Sequence, residues 1–246
     1  MPRKAREKSP SNIYHVILRG INRQSIFCDA LDNKKYLQLL NHYKEVSGYE
    51  LYGYCLMSNH IHLLLKVCEE ELEQIFKRIG TSYVYWYNLK YDRCGPLYQD
   101  RFKSEVVENE RYFTAVLRYI HQNPIMAQVC GSLEYEWSSY NDYINKKGIT
   151  DYQFAYDIIG EENFIKLMNE KVVDECMEFE GRRKRITDEE LSRRIEETLN
   201  IKAMMIQNEP KEKREELLRN ILQFEGSTTR QLSRLTGIST NFIWNL

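Results

Sequence analysis

Residues 56 to 65 read LMSNHIHLLL, and no other run leaves the chain so little conformational choice. The segment has the density of a buried strand, and side chains on a strand alternate between faces. His60 and His62 therefore point the same way, roughly 7 Å apart at ~3.3 Å rise per residue, while Ile61 and Leu63 point the other way. Two polar rings among leucines are costly to bury unless each finds a partner. Two readings meet that demand. One is a pair of core histidines hydrogen-bonded to backbone; the other is a metal half-site in which one divalent cation serves both imidazoles. Spacing alone does not choose between them.

The segment RYIHQNPI, residues 118 to 125, bears on the choice. The run leading into it carries Phe113, Val116, Leu117 and Ile120 at the i, i+3, i+4, i+7 positions of an amphipathic helix. Tyr119 lies on that helix and Asn123 follows one turn later, so the two share a face if the helix persists. Pro124 biases Asn123 away from helical geometry, which places the predicted helix end there. The chain holds 18 tyrosines, and most tyrosines on such helices simply pack, so Tyr119 gains meaning only beside the two histidines and the amide. His121 points to a different side of the helix from Tyr119 and reads as a surface or groove-edge residue.

The surrounding pattern predicts a fold. A strand over 13 to 19 is followed by a helix over 32 to 47, strands over 49 to 57 and 60 to 67, a helix from about 70 to 91, a strand within 101 to 107 and then the tyrosine helix. The order β-α-β-β-α-β-α is that of an α+β, ferredoxin-like split β-α-β sandwich, an antiparallel sheet with helices on one face. An all-α region follows. Residues 150 to 180 have helical spacing, EGRRKRITDEE reads as a basic hinge, and Thr187 with Glu190 forms a candidate capping box. Within TTRQLSRLTGISTNFIWNL, residues 228 to 246, Leu232, Ser233, Gly237, Ile238, Ile243 and Leu246 have helix-turn-helix spacing, with a short second helix. The expected division is 1–145 catalytic, 146–185 helical extension and basic hinge, and 186–246 helical and DNA-binding.

Composition excludes more than it assigns. No apolar stretch approaches the ~20 residues of a membrane span, and the basic N-terminus lacks the apolar core of a signal peptide, which points to the cytoplasm. Six cysteines without a C-x-x-C pair read as reduced structural thiols. No phosphate-binding G-x-x-x-x-G-K-[ST] loop is present, so no nucleotide cofactor is expected. A net charge of −1 advertises no nucleic acid, yet basic residues cluster in 1 to 25 and in RRKR at 182 to 185. Tyr83, Tyr85, Trp86, Tyr87 and Tyr91 crowd one helix, where core packing outweighs a base-stacking platform.

Five blocks in order, HVILRGINRQSIF (15 to 27), YCLMSNHIHLLL (54 to 65), PLYQDRFKS (96 to 104), RYIHQNPI (118 to 125) and WSSY (137 to 140), resemble the REP-associated tyrosine transposases. These are a branch of the single-tyrosine, His-hydrophobe-His transposases of bacterial insertion sequences. The resemblance implies that Tyr119 is the nucleophile, that His60, His62 and Asn123 hold Mg²⁺ or Mn²⁺, and that the partner is single-stranded or hairpin DNA handled by a monomer or homodimer. It also turns the basic clusters toward DNA, through Arg3, Lys4, Arg6, Arg19, Asn22, Arg23, Arg101, Lys103 and Arg118. Ser58 stands where proline is common, Ile21 where asparagine is, and Met126 where an arginine is usual, a departure that puts a DNA backbone contact at that position in question. Two other readings remain open from sequence: a metal-dependent phosphodiesterase that activates water, and a DNA-binding regulator whose catalytic domain is spent. A histidine-triad hydrolase fails, because the residue two past His62 is Leu64.

Overall fold

Alternating apolar residues build the sheet that positions everything else. In the computed structural model, which describes residues 8–170, 176, 188–224, 227–244 and 246, the chain forms two compact units, 1–179 and 180–246. In the first, β1 (Ile13–Arg19), α1 (Ala30–Ser47), β2 (Glu50–Met57), β3 (His60–Lys66), α2 (Leu72–Lys90) and β4 (Lys103–Val106) follow one another. The four described strands pair antiparallel in the order β2-β3-β1-β4, the split β-α-β topology.

Helices cover both faces of the sheet and not one face as the element order predicts, because the strands are apolar on both sides and each face has its own core. Val16 and Leu18 of β1 with Ile61, Leu63 and Leu65 of β3 pack under α1 and α2, against Tyr36, Leu40, Ile75, Ile79 and Tyr83. The opposite face, presenting Leu64 of β3 and Tyr52 and Cys55 of β2, is covered by α3 (Glu110–Met126) through Phe113, Val116, Leu117 and Ile120. Gly53 permits that approach, since a Cβ there would lie 2.9 Å from Leu117 Cδ1. Asn109 caps α3 by accepting from the Tyr112 N–H at 2.8 Å. Among the described residues of the unit, α4 (Tyr140–Asn145), α5 (Tyr152–Ile159) and α6 (Glu161–Asn169) follow, with Tyr143, Tyr156, Phe164 and Met168 packed into the same core as α3.

Helix α3 does not end at Asn123. It runs through Pro124 to Met126, and the Ala127 N–H closes the turn on the Asn123 carbonyl at 2.9 Å. The missing proline N–H leaves one carbonyl without its helical donor, a loss confined to the last turn of a helix held along its length by the sheet. Persistence of the helix keeps Asn123 one turn beyond Tyr119.

The second unit contains α7 (Asp188–Leu199), a 3₁₀ segment Ala203–Asn208, α8 (Lys211–Leu222), α9 (Thr229–Thr236) and α10 (Thr240–Trp244). Leu191, Ile195, Ile206, Leu218, Ile221, Leu232 and Ile243 form its core. Gly237 ends α9 with φ +74°, a left-handed conformation that glycine adopts without strain, and its N–H returns to the Ser233 carbonyl at 3.0 Å. Thr187 of the candidate capping box and the RRKR run lie outside the described residues.

Candidate active site

The β1–β3 register places chemistry in rows. Arg19 pairs with His60, Ile17 with His62 and His15 with Leu64, so these residues share the face toward α3. On the far side of β1, Lys103 pairs with Ile17 and Glu105 with His15. Tyr119 descends from α3 onto this surface, its ring edge-on to His62 at 5.4 Å between centroids and to His15 at 6.0 Å. Asn123 follows one turn later. His60, His62, Tyr119 and Asn123, together with Arg19 from β1 and Met126 from the end of α3, line one cavity of about 240 Å³.

Polar atoms converge on the Asn123 amide. His60 Nε2 lies 3.2 Å from Asn123 Oδ1, and His62 Nε2 lies 3.4 Å from Asn123 Nδ2. Each histidine also has an outer partner. His60 Nδ1 is 2.7 Å from Asn59 Oδ1, and His62 Nδ1 is 3.1 Å from His15 Nε2. Asn59 Nδ2 donates to the Arg23 carbonyl at 3.3 Å, which leaves its Oδ1 to accept from His60 Nδ1–H. His60 Nε2 then carries a lone pair and faces the Asn123 oxygen. Two acceptors in contact are satisfied by a cation, not by a hydrogen bond.

The donor set therefore fits a divalent metal. Donors each ~2.1 Å from one ion lie about 3.0–3.4 Å apart along a coordination edge, and the His60 Nε2–Asn123 Oδ1 contact has that spacing. Among the described residues no cluster of three or more His, Cys, Asp or Glu side chains could hold a metal; a third donor to an ion on His60 and His62 would be the Asn123 amide oxygen. Burial lowers the pKa of His60 and drives that of His62 well below the usual value, with repulsion from His15 and His60 adding to the second shift. Both rings are neutral at neutral pH, the state a metal ligand requires.

The remaining sequence-predicted residues divide. Arg19 lines the cavity, and the strand register sets Lys103 on the same face. Asn22 and Arg23 are exposed in the turn after β1, both with left-handed backbone, φ +51° and +61°, and Arg101 is exposed before β4. Arg118 departs from expectation: it is buried on the far side of α3, where Nη1 donates to Glu170 at 3.3 Å, so its charge is held inside the protein. His121 is likewise no groove-edge residue. It is fully buried, bonded to Ser139 Oγ at 2.9 Å and ringed by Tyr140, Tyr143 and Phe164. Tyr83 and Tyr87 are core residues, while Tyr85 is exposed. Arg3, Lys4 and Arg6 lie outside the described residues.

Sequence reasoning missed Asn59, His15 and Glu105. Asn59 falls in the gap between the two predicted strands, 49–57 and 60–67, where the sequence marks a turn and no chemical partner. His15 shares strand parity with Ile13 and Ile17, a polar ring at an inward position, but that signal needs the register of two other strands to acquire a partner.

Comparison with known proteins adds an independent line. Residues 8–123 match the profile of the family described as IS200-like transposases. The solved structure of a REP-associated tyrosine transposase bound to a REP hairpin aligns with TM-score 0.51 and 12% identity, over 72% of this chain and 100% of that one, a likeness of fold. A transposase candidate from Deinococcus radiodurans R1 aligns with TM-score 0.35 and 18% identity, over 52% of this chain and 98% of that one, too low to carry weight. No curated protein matches the sequence.

Proposed function

We propose that this chain, whose residues 8–123 match the profile of the family described as IS200-like transposases, is a member of that family and a single-stranded DNA endonuclease and strand transferase acting at hairpin-forming palindromic repeats. The observation that carries this reading is the meeting of Tyr119 with His60, His62 and Asn123 in one cavity, from elements far apart in sequence. The solved REP-associated transposase was bound to a REP hairpin, which supports a hairpin as partner here. Among the described residues no helix is long and apolar enough to cross a membrane.

His60, His62 and the Asn123 oxygen would hold Mg²⁺ or Mn²⁺, which when bound supplies charge neutralisation at a nonbridging phosphate oxygen. Imidazole by itself favours Zn²⁺ or Ni²⁺; the amide and the open positions suit the harder ions. Arg19 on the cavity wall and Lys103 on the same face attract the phosphate backbone. Tyr119 is buried to 5% exposure, so its ring is oriented by packing at the cavity wall. Its oxygen attacks phosphorus, the P–O3′ bond breaks, and the phenolic proton lost is balanced by the one gained at the departing 3′-oxygen. The product is a 5′-phosphotyrosine that conserves the phosphoester for rejoining, so no nucleoside triphosphate is consumed.

The test incubates full-length protein, Mn²⁺ and end-labelled single strands carrying hairpins, and looks for a covalent adduct that survives denaturation. Tyr119→Phe is expected to abolish the adduct and leave hairpin binding largely intact, because only the hydroxyl is lost. Adduct persisting in that variant would sink the assignment of Tyr119. Cleavage without an adduct would favour the water-activating phosphodiesterase.

A further inference from the structure

Neither histidine can serve a cation from Nε2 unless its single proton sits on Nδ1, and each Nδ1 has a dedicated partner outside the cavity. For His60 the partner is Asn59, whose amide is fixed by the Arg23 carbonyl. For His62 it is His15, on the neighbouring strand, completely buried and 3.1 Å away. An imidazole shut among apolar side chains is uncharged and carries one N–H. Of the two His15 nitrogens, Nε2 faces His62, and Nδ1 faces the carboxylate of Glu105 at 4.0 Å, beyond hydrogen-bond range and with no other partner. Glu105 also accepts from the Tyr112 hydroxyl at the start of α3, which holds the carboxylate beside β1.

Two proton arrangements are self-consistent along this row. In one, the His15 proton sits on Nδ1 beside the negative carboxylate; His15 Nε2 then accepts from His62 Nδ1–H, and the His62 Nε2 lone pair points into the cavity. In the other, every proton is shifted, a buried His15 lone pair faces the carboxylate, and His62 presents an N–H that excludes a cation. The charge of Glu105 favours the first. The amide of Asn123 agrees, because it directs its Nδ2–H at His62 Nε2, as an acceptor there requires.

Resting on the metal reading above, we infer that His15, oriented by Glu105, is a positioning residue that fixes the tautomer of His62, as Asn59 fixes that of His60, so that both present lone pairs to the cation. Outer partners of this kind typically contribute 10–100-fold in metal affinity.

The test uses the full chain. Long-range proton–nitrogen correlation spectra of the histidine-labelled, metal-free protein report the tautomers directly: His15 and His62 are expected with the proton on Nδ1. A proton on His62 Nε2 overturns the inference, whatever the protein does with metals. Calorimetric titration with Mn²⁺ then compares wild type, His62→Ala, His15→Phe and Glu105→Gln. His62→Ala should bind no Mn²⁺, His15→Phe should bind about 10–100-fold more weakly than wild type, and Glu105→Gln should weaken binding by less while raising the Nε2–H population of His62. Affinity equal to wild type in His15→Phe overturns the inference. Glu105 is partly exposed, so Glu105→Gln stays informative if the buried substitution prevents folding. Wild-type protein that binds no Mn²⁺ removes the metal reading, while the spectra still decide the tautomer.

Discussion

The site residues differ in how replaceable they are. Each histidine offers the cavity one fixed nitrogen backed by an outer partner, whereas Asn123 offers a neutral amide oxygen that water can substitute. His60→Ala or His62→Ala is therefore expected to eliminate Mn²⁺ binding and strand cleavage together, and Asn123→Ala to weaken binding less, as read by calorimetric titration beside thermal melts. Purely structural histidines would behave otherwise: their loss would cost ~1–3 kcal/mol of stability with metal affinity unchanged. Gly20 is constrained for a different reason. Its φ of −62° is open to any residue, but a Cβ would sit 2.2 Å from the Gln24 carbonyl oxygen, a backbone atom that cannot step aside. Gly20→Ala should destabilise the protein by roughly 1–3 kcal/mol through overpacking. It should also increase hydrogen exchange in the 20–27 turn, which is bonded to the β2–β3 turn through Ser58 and Asn59. Unchanged melting and exchange would show that the turn relaxes without strain.

Helix α3 has one chemical face and one structural face, and sequence distinguished only the first. Tyr119 and Asn123 share a side because four residues make about one turn, and the two strand histidines share a side because strands alternate; both inferences are local, and both geometries are observed. What was not legible depends on partners distant in sequence. His121 is a core residue because α4 and α6 pack over it, Arg118 is internal because Glu170 lies beyond α6, and His15 meets His62 only through the β1–β3 register. Pro124 misled because its local bias is small against a helix pinned to the sheet. The two faces make separable predictions. Lys103→Ala should lower the slope of DNA affinity against salt by about one phosphate contact. Arg118→Met should leave that slope unchanged and lower stability by ~1 kcal/mol or less, since Glu170 is half exposed. Affinity measured between low and moderate salt checks both, and a slope lost with Arg118 would return that residue to the DNA surface.

At the scale of the whole molecule, buried imidazoles and the division into two units set the expectations. Burial holds His15, His60, His62 and His121 below the usual histidine value, His121 down to about 3. In the unfolded chain these rings take up protons near pH ~6.5. Between that value and the folded one the unfolded state binds more protons, so stability is complete above pH ~6.5 and falls on acidification, by up to about 1.4 kcal/mol per pH unit for each ring. Melts from pH 7.5 to 5 should show this fall, and His121→Gln should lower the melt at neutral pH yet flatten the slope; an unaltered slope would mean that His121 does not titrate on unfolding. The second expectation follows from the cores. Both core clusters around the sheet are built from residues no later than Cys176, whereas the cluster of the second unit begins at Leu191. Tyr119, His60, His62 and Asn123 all lie in the first unit. A chain ending at residue 179 keeps every described residue of the sheet, of α3 and of the α5–α6 cover. It is expected to melt cooperatively, to retain metal-dependent formation of the tyrosine adduct, and to bind hairpin DNA more weakly or with relaxed sequence preference, because the α9–Gly237–α10 segment with helix-turn-helix spacing has been removed. Binding isotherms on matched and scrambled hairpins, read beside adduct yield, separate these effects. Loss of cleavage from a truncated protein that still melts as a folded unit would show that the C-terminal helices help to build the active site; binding equal to the full chain would remove the DNA-binding role of α9 and α10.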